Sequence, residues 1–178
     1  MFPRTCAALA AAVGLACVSV NALPAAVHGS GARNVVTTMP ALDSSVVAGI
    51  NAARTRRGLA PLHVSVRLRS AARSHSLDMA RHGFFSHDSG NGTPAGDRLT
   101  RFYGPAAKIG ETLLEWSPDV TAGEAVQAWL SSPEHRAILL DPGFRELGVS
   151  AVHATAGAGD FHGGDITLVT ADFGARAH

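Results

Sequence analysis

The chain of 178 residues is long enough for one well-formed core and too short for two. Apolar residues make up 46% and charged residues 16%, which excludes an intrinsically disordered chain. Fifteen basic residues against fourteen acidic ones leave a formal charge of +1. That is not the field of a dedicated nucleic-acid binder, which needs concentrated positive charge to neutralise phosphates.

Residues 1–22 read MFPRTCAALAAAVGLACVSVNA. Arg4 supplies a short positive start, Thr5 to Val20 an apolar stretch, and Val20-Asn21-Ala22 the small residues before a cut. This is the pattern of a secretory signal peptide, with cleavage expected after Ala22 and retention as an uncleaved anchor as the alternative. The apolar stretch, about sixteen residues, falls short of the ~20 that span a bilayer, so no stable membrane span is expected once it is removed. Cys6 and Cys17 both lie inside it, and Gly14 stands where lipoprotein signals carry Leu. The mature chain is therefore expected to have no disulfide and no catalytic thiol. Residues 23–40, poor in large apolar groups, read as a flexible linker, which leaves 41–178 for the domain of an exported protein.

From Ala41 onwards the pattern becomes periodic. Asp43 is the expected cap of a helix that carries Val46, Val47, Ile50 and Ala53 on one face and stops before Gly58. Arg54, Arg56 and Arg57 fall at its C-terminal end, where they complement the helix dipole. Ser65 opens a second helix over 66–82, closed by Gly83, with an inward stripe of Leu68, Ala72, His75 and Met79 at spacings of 4, 3 and 4. His75 on that stripe reads either as a hydrogen-bonded core histidine or as a site residue. Residues 84–108 are rich in turn formers and predict a long loop with a short helix at 95–102. Glu115, Trp116 and Asp119 read as part of a further surface loop.

Thr121-Ala-Gly-Glu124 is a capping box for a helix running to about Leu130, with Ala122, Ala125, Val126 and Trp129 inward. Ser132-Pro133 restarts a short helix with His135 in its first turn, and Asp141-Pro142-Gly143 ends it. Two strands, 146–153 and 165–173, flank a Gly- and Ala-rich hairpin loop. Helices first and antiparallel strands last predict the α+β class, with helices packed on a small sheet.

Three segments join a titratable residue to turn chemistry: Gly83-Phe-Phe-Ser-His87-Asp88, Ile109-Gly-Glu111-Thr112, and Trp129-Leu-Ser-Ser-Pro-Glu-His135-Arg136. Together with Ile50-Asn-Ala-Ala-Arg54, Gly58-Leu-Ala-Pro-Leu62, Gly148-Val149 and Phe173-Gly174, they occur in the order and at the intervals of a known family. From about Ser44 to Gly174 the chain resembles the CAP superfamily (cysteine-rich secretory protein, antigen 5, pathogenesis-related 1) in its cysteine-poor bacterial, SCP-like form. The resemblance implies an α-β-α sandwich with a central cleft lined by two histidines and two acidic residues. His87, Glu111 and His135 fall on three of those places. The family's second acid, shortly after the Trp, is missing from Leu130-Ser-Ser132, and Glu134 beside His135 points elsewhere on its turn. Asp172 or its neighbour stands where the family has a Gln near the end of the last strand, and would return a carboxylate to the area.

Two imidazoles and one carboxylate suit Zn2+ and leave a position open for water. His87 and His135 would be the metal ligands, with Glu111 as an optional third. Zinc would make its bound water a nucleophile, although the helix-borne His-Glu-x-x-His motif is absent. The same trio reads equally as a hydrogen-bonded polar cluster that organises the cleft. No Ser sits in a nucleophile elbow. His82, His153, His162 and His178 read as solvated. By resemblance, the expected function is binding of a lipid or other small apolar molecule, or of an envelope or host component, outside the cell. The alternative is a metal-assisted hydrolase acting in the cell envelope.

Overall fold

The computed structural model of the chain describes residues 34–104 and 108–176. The expected signal segment, 1–22, and the linker as far as residue 33 lie outside the described residues. The elements are β1 (Val35–Thr38), α1 (Pro40–Thr55), β2 (His63–Val64), α2 (Val66–His82), α3 (Ala95–Tyr103), β3 (Lys108–Trp116), α4 (Ala122–Ser131), α5 (Pro133–Leu139), β4 (Glu146–Thr155) and β5 (Ile166–Ala175). One short 3-10 turn, Gly159–Phe161, interrupts the β4–β5 connection.

The strands form one sheet in the order β1-β4-β5-β3, antiparallel apart from β2, which runs parallel to β4. β1 and β2 share one edge of β4, pairing with Val152–Thr155 and with Glu146 and Leu147 respectively. Between them the chain satisfies the edge in another way. Met39 N donates to Ala151 O at 3.0 Å, and Asp43 Oδ1 accepts from Ala151 N at 2.6 Å. Asp43 therefore caps a strand edge and not its own helix, which starts at Met39 with Pro40 in the first turn. β3 forms the opposite edge of the sheet.

Alternate residues of each strand point to opposite faces. One face presents Leu114, Val149, Ala151, Val169, Ala171 and Phe173 to Val46 and Ile50 of α1, Val126 and Trp129 of α4, and Leu139 of α5. The other presents Leu113, Val152 and Leu168 to Met79 and Ala80 of α2, and α2 in turn holds α3 through Leu68, Ala71, Leu99 and Tyr103. Helices cover both faces, which makes the α-β-α sandwich. The approach of α2 is close enough that a Cβ on Gly148 would overlap the Leu68–Arg69 backbone. Gly83 ends α2 in the left-handed conformation, with φ of 70° and its N–H bonded to Met79 O, as its position after the last periodic residue predicts.

The expected helix over 66–82, the Thr121–Glu124 capping box, the Ser132-Pro133 restart and the terminal hairpin are all present. Three further expectations are corrected. Residues 35–38, assigned to the linker, form β1 because their backbone groups complete the exposed edge of β4. The segment 108–116, expected as loop plus site, is a nine-residue strand. Its inner residues are buried on both faces, so it lacks the alternation that marks a half-exposed strand. Arg54 does not serve the helix dipole from the surface. It is buried, and its guanidinium donates to the carbonyls of Ala60, Leu139 and Asp141, tying α1 to the end of α5.

Candidate functional site

The register of the edge strand sets the site. Glu111 on β3 lies directly opposite Asp172 on β5, which lies opposite Gly148 on β4, all on the face covered by α2 and α3. Both Glu111 oxygens are occupied: His87 Nδ1 donates to Oε1 at 2.9 Å and Arg98 Nη2 donates to Oε2 at 2.8 Å. The same Arg98 nitrogen donates to the main-chain carbonyl of His87 at 2.8 Å. One arginine on α3 thus holds both the carboxylate and the backbone of the loop that carries its second partner. The loop has a further tie to α2, where His75 Nε2 donates to Ser86 O at 2.8 Å. The ring of Phe84 meets the His75 ring edge-on, with centroids 6.2 Å apart.

The side chain of Glu111 is 3% exposed and that of His87 is 40% exposed, so the cluster runs from a dry carboxylate to a surface imidazole. Burial acts to raise Glu111, but the bond from His87 and the charge of Arg98 outweigh it and hold the carboxyl below its usual range. Asp172 behaves in the opposite way. Complete burial, then the neighbouring negative charge of Glu111, push it well above the carboxylate range. Among the described residues no donor reaches either Asp172 oxygen, and Glu111 is the neighbouring carboxylate. Burial and the charge of Glu111 thus both favour the protonated form of Asp172, across the ladder from an ionised Glu111. Burial lowers His75 and His135, and the charge of His87 lowers His135 further, so both are neutral imidazoles.

Of the predicted trio, His87 and Glu111 are hydrogen-bonded partners. His135 sits on α5, which packs against β3 from the opposite side of the sheet. It is near enough to His87 for electrostatic coupling, yet its Nδ1 is buried with no partner among the described residues. Glu134 is exposed, as expected. Asp172 does return a carboxylate to the site. Sequence reasoning misses Arg98, because a single Arg on a short helix carries no spacing signal. His75 resolves to the core reading, as a neutral tie between α2 and the loop.

As arranged, Glu111 is not free to serve as a metal ligand. Among the described residues, no group of three or more His, Cys, Asp or Glu side chains is gathered as an ion would require. The Nδ1 of His87 is committed to Glu111, and a guanidinium occupies the other carboxylate oxygen.

A separate groove of about 610 Å3 runs along α4, lined by Trp116, Gly123, Ala128 and Ser132 among others. None of His87, Glu111 and His135 borders it. Trp116 is half-buried at its wall, whereas Trp129 is wholly buried and donates Nε1–H to Leu113 O at 3.0 Å.

A sandwich of helices on both faces of a small sheet, with a His–Glu pair at the edge strand, defines a class of domain that comparison makes definite. The model of the family described as "CAP: Cysteine-rich secretory protein family" matches residues 47–173, and the chain belongs to that family. It is 32% identical over 125 residues to the uncharacterized protein YkwD of Bacillus subtilis (strain 168), covering 68% of this chain and 48% of that protein. It is 34% identical over 99 residues to the uncharacterized membrane protein YlbC of the same organism, covering 56% of this chain and 28% of that one. The chain thus spans about half or less of the length of these relatives. A solved extracellular protein containing an SCP domain, from Bacillus anthracis str. Ames, superposes with a TM-score of 0.62 at 28% identity, over 77% of this chain and 41% of that one. An outer surface protein from Borrelia burgdorferi gives a TM-score of 0.66 at 19% identity, over 80% of this chain and 100% of that one, a likeness of fold alone. Among the described residues, no helix is long and apolar enough to cross a membrane.

Proposed function

We propose that this CAP domain is an exported binding module that takes a lipid or other small apolar molecule in the groove beside Trp116. In this reading the His87–Glu111–Arg98 cluster organises the domain and performs no hydrolysis. The observation that carries it is the double occupancy of the Glu111 carboxylate by His87 and Arg98. A general base needs access to substrate or water and a proton affinity near neutrality, whereas the Glu111 side chain is 3% exposed and held below even the ordinary carboxylate range. The groove's volume, about 610 Å3, falls within the common range of small-molecule sites, and its lining is more apolar than polar. An extracellular neighbour at 28% identity and the N-terminal signal pattern support export.

The groove supplies its own reporter in Trp116. Titration with a medium-chain fatty acid should shift tryptophan emission saturably. Ala128→Arg, which fills the groove from α4 and leaves Trp116 in place, should abolish that shift. An unchanged response in this variant would remove the groove from the account.

Zinc-assisted hydrolysis is the second reading, and the unpartnered Nδ1 of buried His135 close to His87 favours it. It requires the ion to bind His87 through Nε2, with Nδ1 still held by Glu111, and to take His135 as a second ligand. Zinc uptake that is lost in a His87→Ala/His135→Ala double variant is its test.

A further inference from the structure

A second groove, of about 800 Å3, lies between α2, α3 and the loop 84–94, away from Trp116. Its wall is cationic. Arg81 on α2 and Arg101 on α3 are exposed, and neither guanidinium has a hydrogen bond or ion pair among the described residues. Arg98 closes the groove from within. It is only 6% exposed, and its Nε and Nη1 are buried without an acceptor, although Nη2 is fully used by Glu111 and the His87 carbonyl. Buried guanidinium nitrogens rarely stay unpaired, because an unmet donor costs more than the bond it would make. The single carboxylate in the wall, Asp78, does not neutralise the arginines. Its Oδ1 accepts from His82 Nδ1 at 2.8 Å and its Oδ2 from Gly90 N at 3.2 Å.

The rest of the lining includes aromatic surface. Phe102 is 37% exposed and Phe84 is half-buried, both beside the arginines. Free guanidiniums bind phosphate or carboxylate through paired charge-assisted bonds, and adjacent rings bury an apolar body. The whole chain carries only +1, so this is a local site and not part of a broad positive field.

We propose that the α2–α3 groove is a binding site for a small anionic amphiphile, with a phosphate or carboxylate head on Arg81 and Arg101, in the field of the buried Arg98, and an apolar body against Phe84 and Phe102. The site is distinct from the groove beside Trp116, so either can fail alone. Its wall is also the arginine that holds Glu111. The groove therefore borders the side chain that holds the His87 loop.

The probe is octyl phosphate below its micelle concentration, titrated calorimetrically into the full chain, with octyl glucoside as a neutral control of equal tail. Octyl phosphate is expected to bind clearly more tightly than octyl glucoside, whose tail is left the groove beside Trp116. Arg81→Gln/Arg101→Gln should weaken it by at least about tenfold, because two charge-assisted contacts are lost. Both positions are exposed and unpartnered, so helix content should not change. Phe102→Ser should weaken octyl phosphate and leave inorganic phosphate unaffected. Vesicles of phosphatidylglycerol in phosphatidylcholine separate the sources of the anion. Retention lost in the double-arginine variant assigns a lipid headgroup, and binding of monomer without vesicle retention assigns a free small molecule. Equal affinity of the wild type and the double variant for octyl phosphate would overturn the proposal, as would equal binding of octyl glucoside.

Discussion

The two faces of the sheet are built from the same strands and solve burial differently. Against α1, α4 and α5, the sheet is aliphatic and aromatic along most of its length, and Trp129 is anchored there by one bond to a strand carbonyl. Against α2 and α3, its character changes rung by rung. Val152 and Leu168 are apolar at one end. In the middle, Ser150 faces Thr170, and Ser76 of α2 bonds both, donating to Ser150 O at 3.1 Å with 2.8 Å to Thr170 Oγ1. At the far end Gly148, Asp172 and Glu111 form the last polar rung. The first face stabilises by area removed from water, which is non-directional. The second depends on each polar atom finding its partner, so it defines a geometry more than it adds stability.

The largest contrast should come from Trp129→Ala on the apolar face, with an expected loss of about 3–5 kcal/mol in denaturant unfolding, from both the cavity and the orphaned Leu113 carbonyl. Glu111→Gln on the polar face should cost about 3 kcal/mol, because it leaves Arg98 buried without a counter-charge. Removing both partners in Glu111→Leu/Arg98→Leu should cost clearly less than the sum of the two single changes. Near-additivity in that double-mutant cycle would show that the pair is not coupled.

Asp172→Asn should be close to neutral in stability near pH 5, since an uncharged amide of the same shape replaces a carboxyl that burial holds towards its uncharged form. Its pH dependence should differ. A carboxyl raised in the folded state binds more protons there than in the unfolded chain, so the wild type loses stability as pH rises from its ordinary value towards the raised one. The Asn variant should lack that decline and gain on the wild type with rising pH. A parallel pair of stability curves would contradict a protonated Asp172.

The smallest effect is expected at His135. Its folded value is lowered from about 6.5, so the unfolded chain takes up the proton first and stability falls as pH drops below about 6.5. His135→Gln should flatten part of that acid-side slope in urea midpoints measured between pH 7 and 5. His75 contributes in the same direction and should leave a residual slope in the variant.

Local signals made much of the fold legible in the sequence. Gly83 after a stripe of period 3.6, the Thr121–Glu124 box and the Ser132-Pro133 restart each act within a few residues, and each is found where expected. β1, β2 and β3 escape such signals because strands of this kind are defined by partners far along the chain. β1 exists through residues 152–155, and β3 is buried on both faces and shows no alternation. In the site, the ordered motifs bring out His87, Glu111 and His135, and the strand-end position brings out Asp172. The side of the sheet from which each approaches is set by the parity of β3 and by α5 packing, which no motif encodes. Arg98 is invisible for the same reason. Its importance comes from the 2.8 Å contact to Glu111, not from its neighbours in the chain.

The most direct measurement is native mass spectrometry of the full chain, purified gently, with and without added zinc, for the wild type and the His87→Ala/His135→Ala variant. The account predicts a lipid-sized adduct on both proteins and no zinc stoichiometry that depends on the two histidines. A zinc adduct of one ion per wild-type chain, lost in the double variant, would contradict it and make the cluster a metal site.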